Sequence, residues 1–223
     1  MTDAALRIEA EAADSERAAM VSGIGSTYLM VLFAATYPEK TSALVLADGY
    51  ARASQAPDYP WGLPIALLPA QLDQLREGWG KGILLDFLAP SVAKDEELRR
   101  SYARYERQSA SPGTARAMLQ MLYENDVRHV LPAIRVPTLV IHHAEGTRIS
   151  AAHGRYMAEH IEDAQYVEIP GSENLLWAGD QERVLGEIQE FLTGVRPVAE
   201  PDRRGHWLHA VARAGRLVVV GAH

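Results

Sequence analysis

Apolar and polar positions alternate between two rhythms along this chain. Ala18-Ala19-Met20-Val21 is a short apolar run, and it ends in the small-residue stretch Ser22-Gly23-Ile24-Gly25-Ser26. From Thr27 to Tyr37 almost every position is apolar, which predicts a helix buried on nearly all sides, and Pro38 stops it. Ser42–Leu46 predicts another buried strand. Strand, tight turn, buried helix and strand make a βαβ crossover, the unit of parallel sheets. Upstream, Leu6, Ala10 and Ala13 show loose helical spacing.

Residues 51–134 carry a helical rhythm and no strand signal. Pro57, Pro60, Pro64 and Pro69 punctuate a loop. Helical patterns follow over Leu68–Trp79, Gly82–Leu88, Asp95–Gln108 and Thr114–Tyr123. Strand signals return at Thr138–Ile141 and Tyr166–Ile169, with a helix over Ala151–Ile161 between them. A last amphipathic helix starts at the N-cap Asp180 and stops at Gly194.

Composition narrows the function classes. The chain has 223 residues, 48% of them hydrophobic, with no Cys. That apolar fraction is too high for a disordered chain. Without Cys there is no disulfide scaffold, thiolate metal site or Cys nucleophile. A formal net charge of −7 argues against nucleic-acid binding. No run long and apolar enough to span a membrane occurs, and the acidic, Ala-rich first residues lack the features of a signal peptide. The expectation is a cytoplasmic protein with no membrane association and no cofactor. After Asp202 the carboxylates vanish and arginines accumulate, so residues 196–223 form a basic tail, irregular or contributing one added strand at Leu217–Val220.

Several stretches together resemble the α/β-hydrolase superfamily. Phe33-Ala34-Ala35-Thr36-Tyr37-Pro38-Glu39, followed by Ser42–Leu46, is similar to the helix and strand after a nucleophile elbow. Asp58-Tyr59-Pro60-Trp61-Gly62, Ala133-Ile134-Arg135-Val136-Pro137-Thr138, His153-Gly154-Arg155-Tyr156 and Trp177-Ala178-Gly179-Asp180 resemble the hydrolase-like domains of actinobacterial proteins often fused to class III adenylate or guanylate cyclases. The resemblance spans roughly residues 10–202. It implies a partial α/β-hydrolase fold, a mostly parallel sheet of about four strands. Residues 1–50 and 135–195 would form the core and 51–134 a helical cap insertion. It also implies that the early strands, and the oxyanion-hole loop that follows them, are absent. The abrupt change at Arg203 suggests a frameshifted or replaced C-terminus, in which case another reading frame past Asp202 would encode the start of a cyclase.

The same resemblance places the catalytic triad. The nucleophile position of the elbow falls on Ile24, the acid position on Gly146 and the histidine position on Asn174. None of the three can do the family's chemistry, and a β-branched Ile suits a relaxed elbow better than a strained one. Displaced candidates are Ser22, Ser26, His143 and Glu145, the last two as an acid–base pair; a metal site there is the weaker reading, and none is assigned. Ile24, Gly25, Trp61, Trp79, Met118 and Asn174 are candidates to line a small-molecule pocket under the cap. His142, Met121 and Glu173 are further candidates to face a ligand.

Three functions are compatible with these residues. The first is a hydrolase-like pseudoenzyme that senses a ligand or binds a partner. The second is an esterase-type hydrolase using displaced groups. The third is a non-hydrolytic, lyase-like enzyme using His143 or Glu145. If the early strands are missing, Ala18–Val21 is an exposed apolar edge, a pairing hazard to be covered by Leu217–Val220 or by a second copy in a homodimer.

Overall fold

The structure is a computed structural model that describes residues 16–146 and 148–196 and the backbone of 217–220. The helical spacing at Leu6, Ala10 and Ala13 and the tail residues 203–216 lie outside the described residues. Five parallel strands form one sheet in the order β4-β3-β2-β1-β5: β1 Ala18–Ser22, β2 Thr41–Ala47, β3 Thr138–His143, β4 Gln165–Ile169 and β5 Leu217–Val220. The sequence-predicted strands stand in this sheet in the parallel arrangement expected.

Side chains alternate across the sheet, and each face has its own helices. On one face Met20, Leu44, Leu46 and Val140 pack against Met30, Val31 and Phe33 of α1 (Thr27–Thr36) and Met157 of α6 (Ala151–His160). On the other, Val21, Val45, Leu139, Ile141 and Ile169 pack against Val184 and Ile188 of α7 (Gln181–Thr193). This two-sided burial explains why the central strands read as continuous apolar runs instead of alternating ones. β4 is an edge strand and is half-buried.

Between β2 and β3 the chain forms four α-helices, the segment expected as a cap and termed the cap: α2 Leu68–Gly78, α3 Leu84–Leu88, α4 Glu96–Ser109 and α5 Pro112–Glu124. Side chains fix the helix starts. Asp95 accepts from the Glu97 and Leu98 amides, Ser111 from Thr114, Ser150 from Ala152 and Asp180 from Arg183. Gly194 ends α7 with φ +73°, a left-handed stop that suits glycine. The cap also contains a 3₁₀ segment at Arg128–Ala133, which apolar spacing did not indicate.

β5 pairs with β1 in the register Ala19–Leu217 to Ser22–Val220. Leu217–Val220 therefore lies along the β1 edge.

Candidate functional site

The turn after β1 decides what the carboxyl edge of the sheet can do. Ile24–Ser26 is a short 3₁₀ turn leading directly into α1. Ile24 has no positive φ; among the described non-glycine residues only Asp48 and Asp163 do. A strained elbow needs φ > 0 at its nucleophile, so this turn is relaxed. Ser26 donates its hydroxyl to the Gly23 carbonyl at 3.1 Å. Ser22, fully buried at the end of β1, has a hydroxyl with no partner.

Gly23, Ile24 and Gly25 form one wall of a cavity of about 290 Å³ between the sheet edge and the cap. Asn174 and Ile149 contribute from the core loops, and Trp79, Leu84, Phe87, Met118 and Leu122 from the cap. Gly146 adjoins this wall: a Cβ built there would stand 3.0 Å from Asn174 Nδ2 and 2.6 Å from the Ile149 carbonyl. Ile24, Gly146 and Asn174 thus lie close together at one end of the cavity. Trp61 is elsewhere. Its ring packs 4.8 Å from Tyr59 and 5.9 Å from Tyr156, because the proline-punctuated loop turns it towards α6 instead of under the cap. Met121 also lies outside the wall and receives the Tyr28 hydroxyl.

A buried acid–base cluster sits at the same sheet edge. Asp48, immediately after β2, has φ +47°. Its Oδ2 accepts from His143 Nδ1 at 2.8 Å and its Oδ1 from the His143 amide at 2.9 Å. The expected His143–Glu145 pair does not form. Glu145 instead accepts the Gly171 amide, because adjacent loops hold it outside the strand line. His142 bonds the Gly49 carbonyl through Nε2 at 3.0 Å. Neither histidine lines the cavity; each is at most 1% exposed.

Burial pulls the His143 imidazole down, but the Asp48 carboxylate overrides this and holds it above its ordinary value. Burial dominates at His142 and lowers it. His143 Nε2 has no partner. A Cβ at Gly179 would lie 3.9 Å from that nitrogen and 2.9 Å from Glu173 Cγ, so the 171–179 loop covers it. Glu173 is 3% exposed and accepts the Ser91 amide at 3.2 Å; its other oxygen is unpaired. Asn174 Oδ1 is likewise without a partner. Among the described residues no group of three or more His, Asp and Glu side chains is arranged to hold a metal ion. No described helix is long and apolar enough to cross a membrane.

Sequence reasoning missed Asp48. Its signal was an Asp-Gly pair directly after a seven-residue strand, opposite the His-His pair that ends β3.

No protein-family model matches the chain. Solved structures do. An esterase from Exiguobacterium antarcticum superposes with a TM-score of 0.73 at 17% identity, covering 84% of this chain and 71% of that one. A bromoperoxidase from Bacillus anthracis gives 0.68 at 22%, again covering 84% and 71%. The chain has an α/β-hydrolase fold. Curated relatives include pimeloyl-[acyl-carrier protein] methyl ester esterases. That of Neisseria meningitidis serogroup C is 26% identical over 191 residues, 84% of this chain and 74% of that protein. That of Nitrosomonas europaea is 28% identical over 140 residues, 60% of this chain and 54% of that protein. These relatives support an α/β hydrolase and favour the esterase alternative over loss of catalysis. Neither a cyclase connection nor a substituted triad follows from them.

Proposed function

We propose that the chain is an esterase-type α/β hydrolase whose site is the cavity between the sheet edge and the cap. The observation that carries this is positional. Ile24, Gly25 and Asn174 share one apolar wall at the carboxyl ends of parallel strands, where open α/β sheets bind their ligands. The names of the relatives support ester chemistry there.

With Ile24 and Asn174 in place, cleavage draws on groups behind the wall. Ser22 offers a hydroxyl without a partner, two residues before Ile24. Asp48 holds Nδ1 of His143 and leaves Nε2 as the base. Ser22 and His143 are not in contact. The register sets Ser22 level with Leu46 and Val140, two strands away and three residues short of His143. Ser22 faces the α1 side of the sheet, whereas His143 lies under the 171–179 loop on the other. Their roles as nucleophile and base are therefore tested separately.

A second reading, ligand binding without turnover, is favoured by the relaxed turn at Ile24. Steady-state hydrolysis of p-nitrophenyl butyrate and hexanoate, with fluorophosphonate labelling, separates the two. Turnover that falls in both Ser22→Ala and His143→Gln, with labelling at Ser22, supports the esterase. Saturable binding with neither turnover nor labelling supports the second reading. Turnover indifferent to both substitutions overturns the assignment of these groups.

A further inference from the structure

We infer that the cavity takes a ligand bearing a carboxylate on an aliphatic chain, and that Arg148 is the residue that selects it. This rests on the cavity being the ligand site, as proposed above. Arg148 belongs to the loop between β3 and α6 and forms part of the cavity wall. Its guanidinium carbon stands 5.1 Å over the Phe87 ring, which is also in the wall.

Several half-buried or surface arginines of the cap and core are paired, and the unpaired Arg116 and Arg183 are exposed to solvent away from the cavity wall. Arg52 and Arg128 pair with Asp126, Arg99 with Asp86 and Arg155 with Glu168. Arg148 makes no ion pair or hydrogen bond among the described residues. Its electrostatic neighbours are the hydroxyls of Tyr50 and Tyr123, both neutral because burial raises them. The one carboxylate in the wall, Glu106, is already used: Oε2 accepts the Gly80 and Gly82 amides at 2.8 Å each, and Oε1 accepts Leu84 at 3.2 Å.

A desolvated cation is costly unless something compensates it, and an aromatic face compensates only in part. Burial accordingly lowers the Arg148 guanidinium. Arg148 is partly buried, and on its cavity side the compensation left open is an anion. Arginine binds carboxylates through two parallel N–H donors, which sets geometry as well as charge. Most of the rest of the wall, including Leu75, Leu84, Leu88 and Leu119, is apolar and suits a hydrocarbon chain. At about 290 Å³ the space fits a small ligand.

Isothermal titration of the full chain with octanoate and with octanamide, its neutral counterpart, tests this. The expected result is a preference for octanoate of about ten-fold or more. Arg148→Gln should erase the preference while leaving octanamide binding within about two-fold, and Arg148→Lys should keep part of it. If octanamide binds and octanoate is not preferred, the inference about Arg148 fails while the cavity survives as a site. If neither ligand binds, both fail. The wild-type ratio decides the matter even if Arg148→Gln does not fold.

Discussion

Asp48 Oδ2 accepts the His143 Nδ1 proton at 2.8 Å, joining the ends of two neighbouring strands inside the core. Both side chains are at most 2% exposed, so the pair is strong only while both members are present. Asp48→Asn should lower the His143 titration point and cost about 2–4 kcal/mol of stability. The pKa of His143 is raised in the folded state. Its contribution is therefore complete below the ordinary histidine value and is lost as pH rises through the folded value. The deficit of Asp48→Asn should shrink towards alkaline pH. Imidazole NMR titration with urea unfolding at pH 6 and pH 9 checks both points.

His153 behaves in the opposite sense. Burial, with a smaller contribution from His142, pushes it down to about 3 from an ordinary 6.5, and its Nδ1 lies 2.7 Å from the Tyr59 hydroxyl, which donates to it. Below pH 6.5 the unfolded chain takes up a proton that the folded chain refuses, so stability falls as pH falls. The loss should reach about 2 kcal/mol at pH 5. His153→Gln retains an acceptor for Tyr59 and should remove that part of the slope. Chemical denaturation from pH 7 to pH 5 reads the difference.

Asp126 clamps the cap entrance by accepting from Arg52 at 2.7 Å and Arg128 at 2.8 Å. The Arg128 hydrogen bond, reinforced by Arg52 against the cost of burial, holds its carboxyl well below the usual range. With the folded pKa depressed, the contribution is full above the ordinary carboxylate value and is lost as pH falls through the folded one. Asp126→Asn should cost about 1–2 kcal/mol at pH 7, because the pair is only partly exposed. Thermal unfolding at pH 7 checks it.

Gly154 lets α6 approach β3. A Cβ there would meet His142 Cδ2 at 2.4 Å and Tyr166 Cε2 at 3.0 Å. Gly154→Ala should destabilise by about 1–3 kcal/mol through overpacking, despite alanine's better helix propensity. A rise in the unfolding midpoint would contradict that packing.

Along β1, the backbone of Leu217–Val220 supplies the neighbouring ladder. Deleting residues 203–223 should bare β1 and drive a homodimer or larger species, since an apolar unpaired strand seeks a partner. Light scattering after size exclusion would show it; an unchanged, equally stable species would not fit.

The sheet and its helices were legible because burial on two faces writes strands as unbroken apolar runs. Val45 and Leu46 face opposite cores and are both apolar. The convergence of Ile24, Gly146 and Asn174 was legible only through the family resemblance. Asp48 and His143 are 95 positions apart and meet because β2 and β3 are adjacent, which no local pattern encodes. Trp61 was misplaced for a related reason: an aromatic residue in a loop does not announce which side of the loop it will pack on. The uncompensated charge of Arg148 is a tertiary property, invisible until Phe87 and the cap surround it.

The cavity beside Ile24 is the proposed ligand site on which both esterase chemistry and carboxylate selection by Arg148 depend. The direct measurement is binding of p-nitrophenyl hexanoate or its ether analogue to the wild type and to Ile24→Trp, whose ring fills that space. Saturable binding by the wild type, weakened about ten-fold or more in a folded Ile24→Trp, is the predicted result. No binding, or binding that Ile24→Trp leaves unchanged, would contradict it.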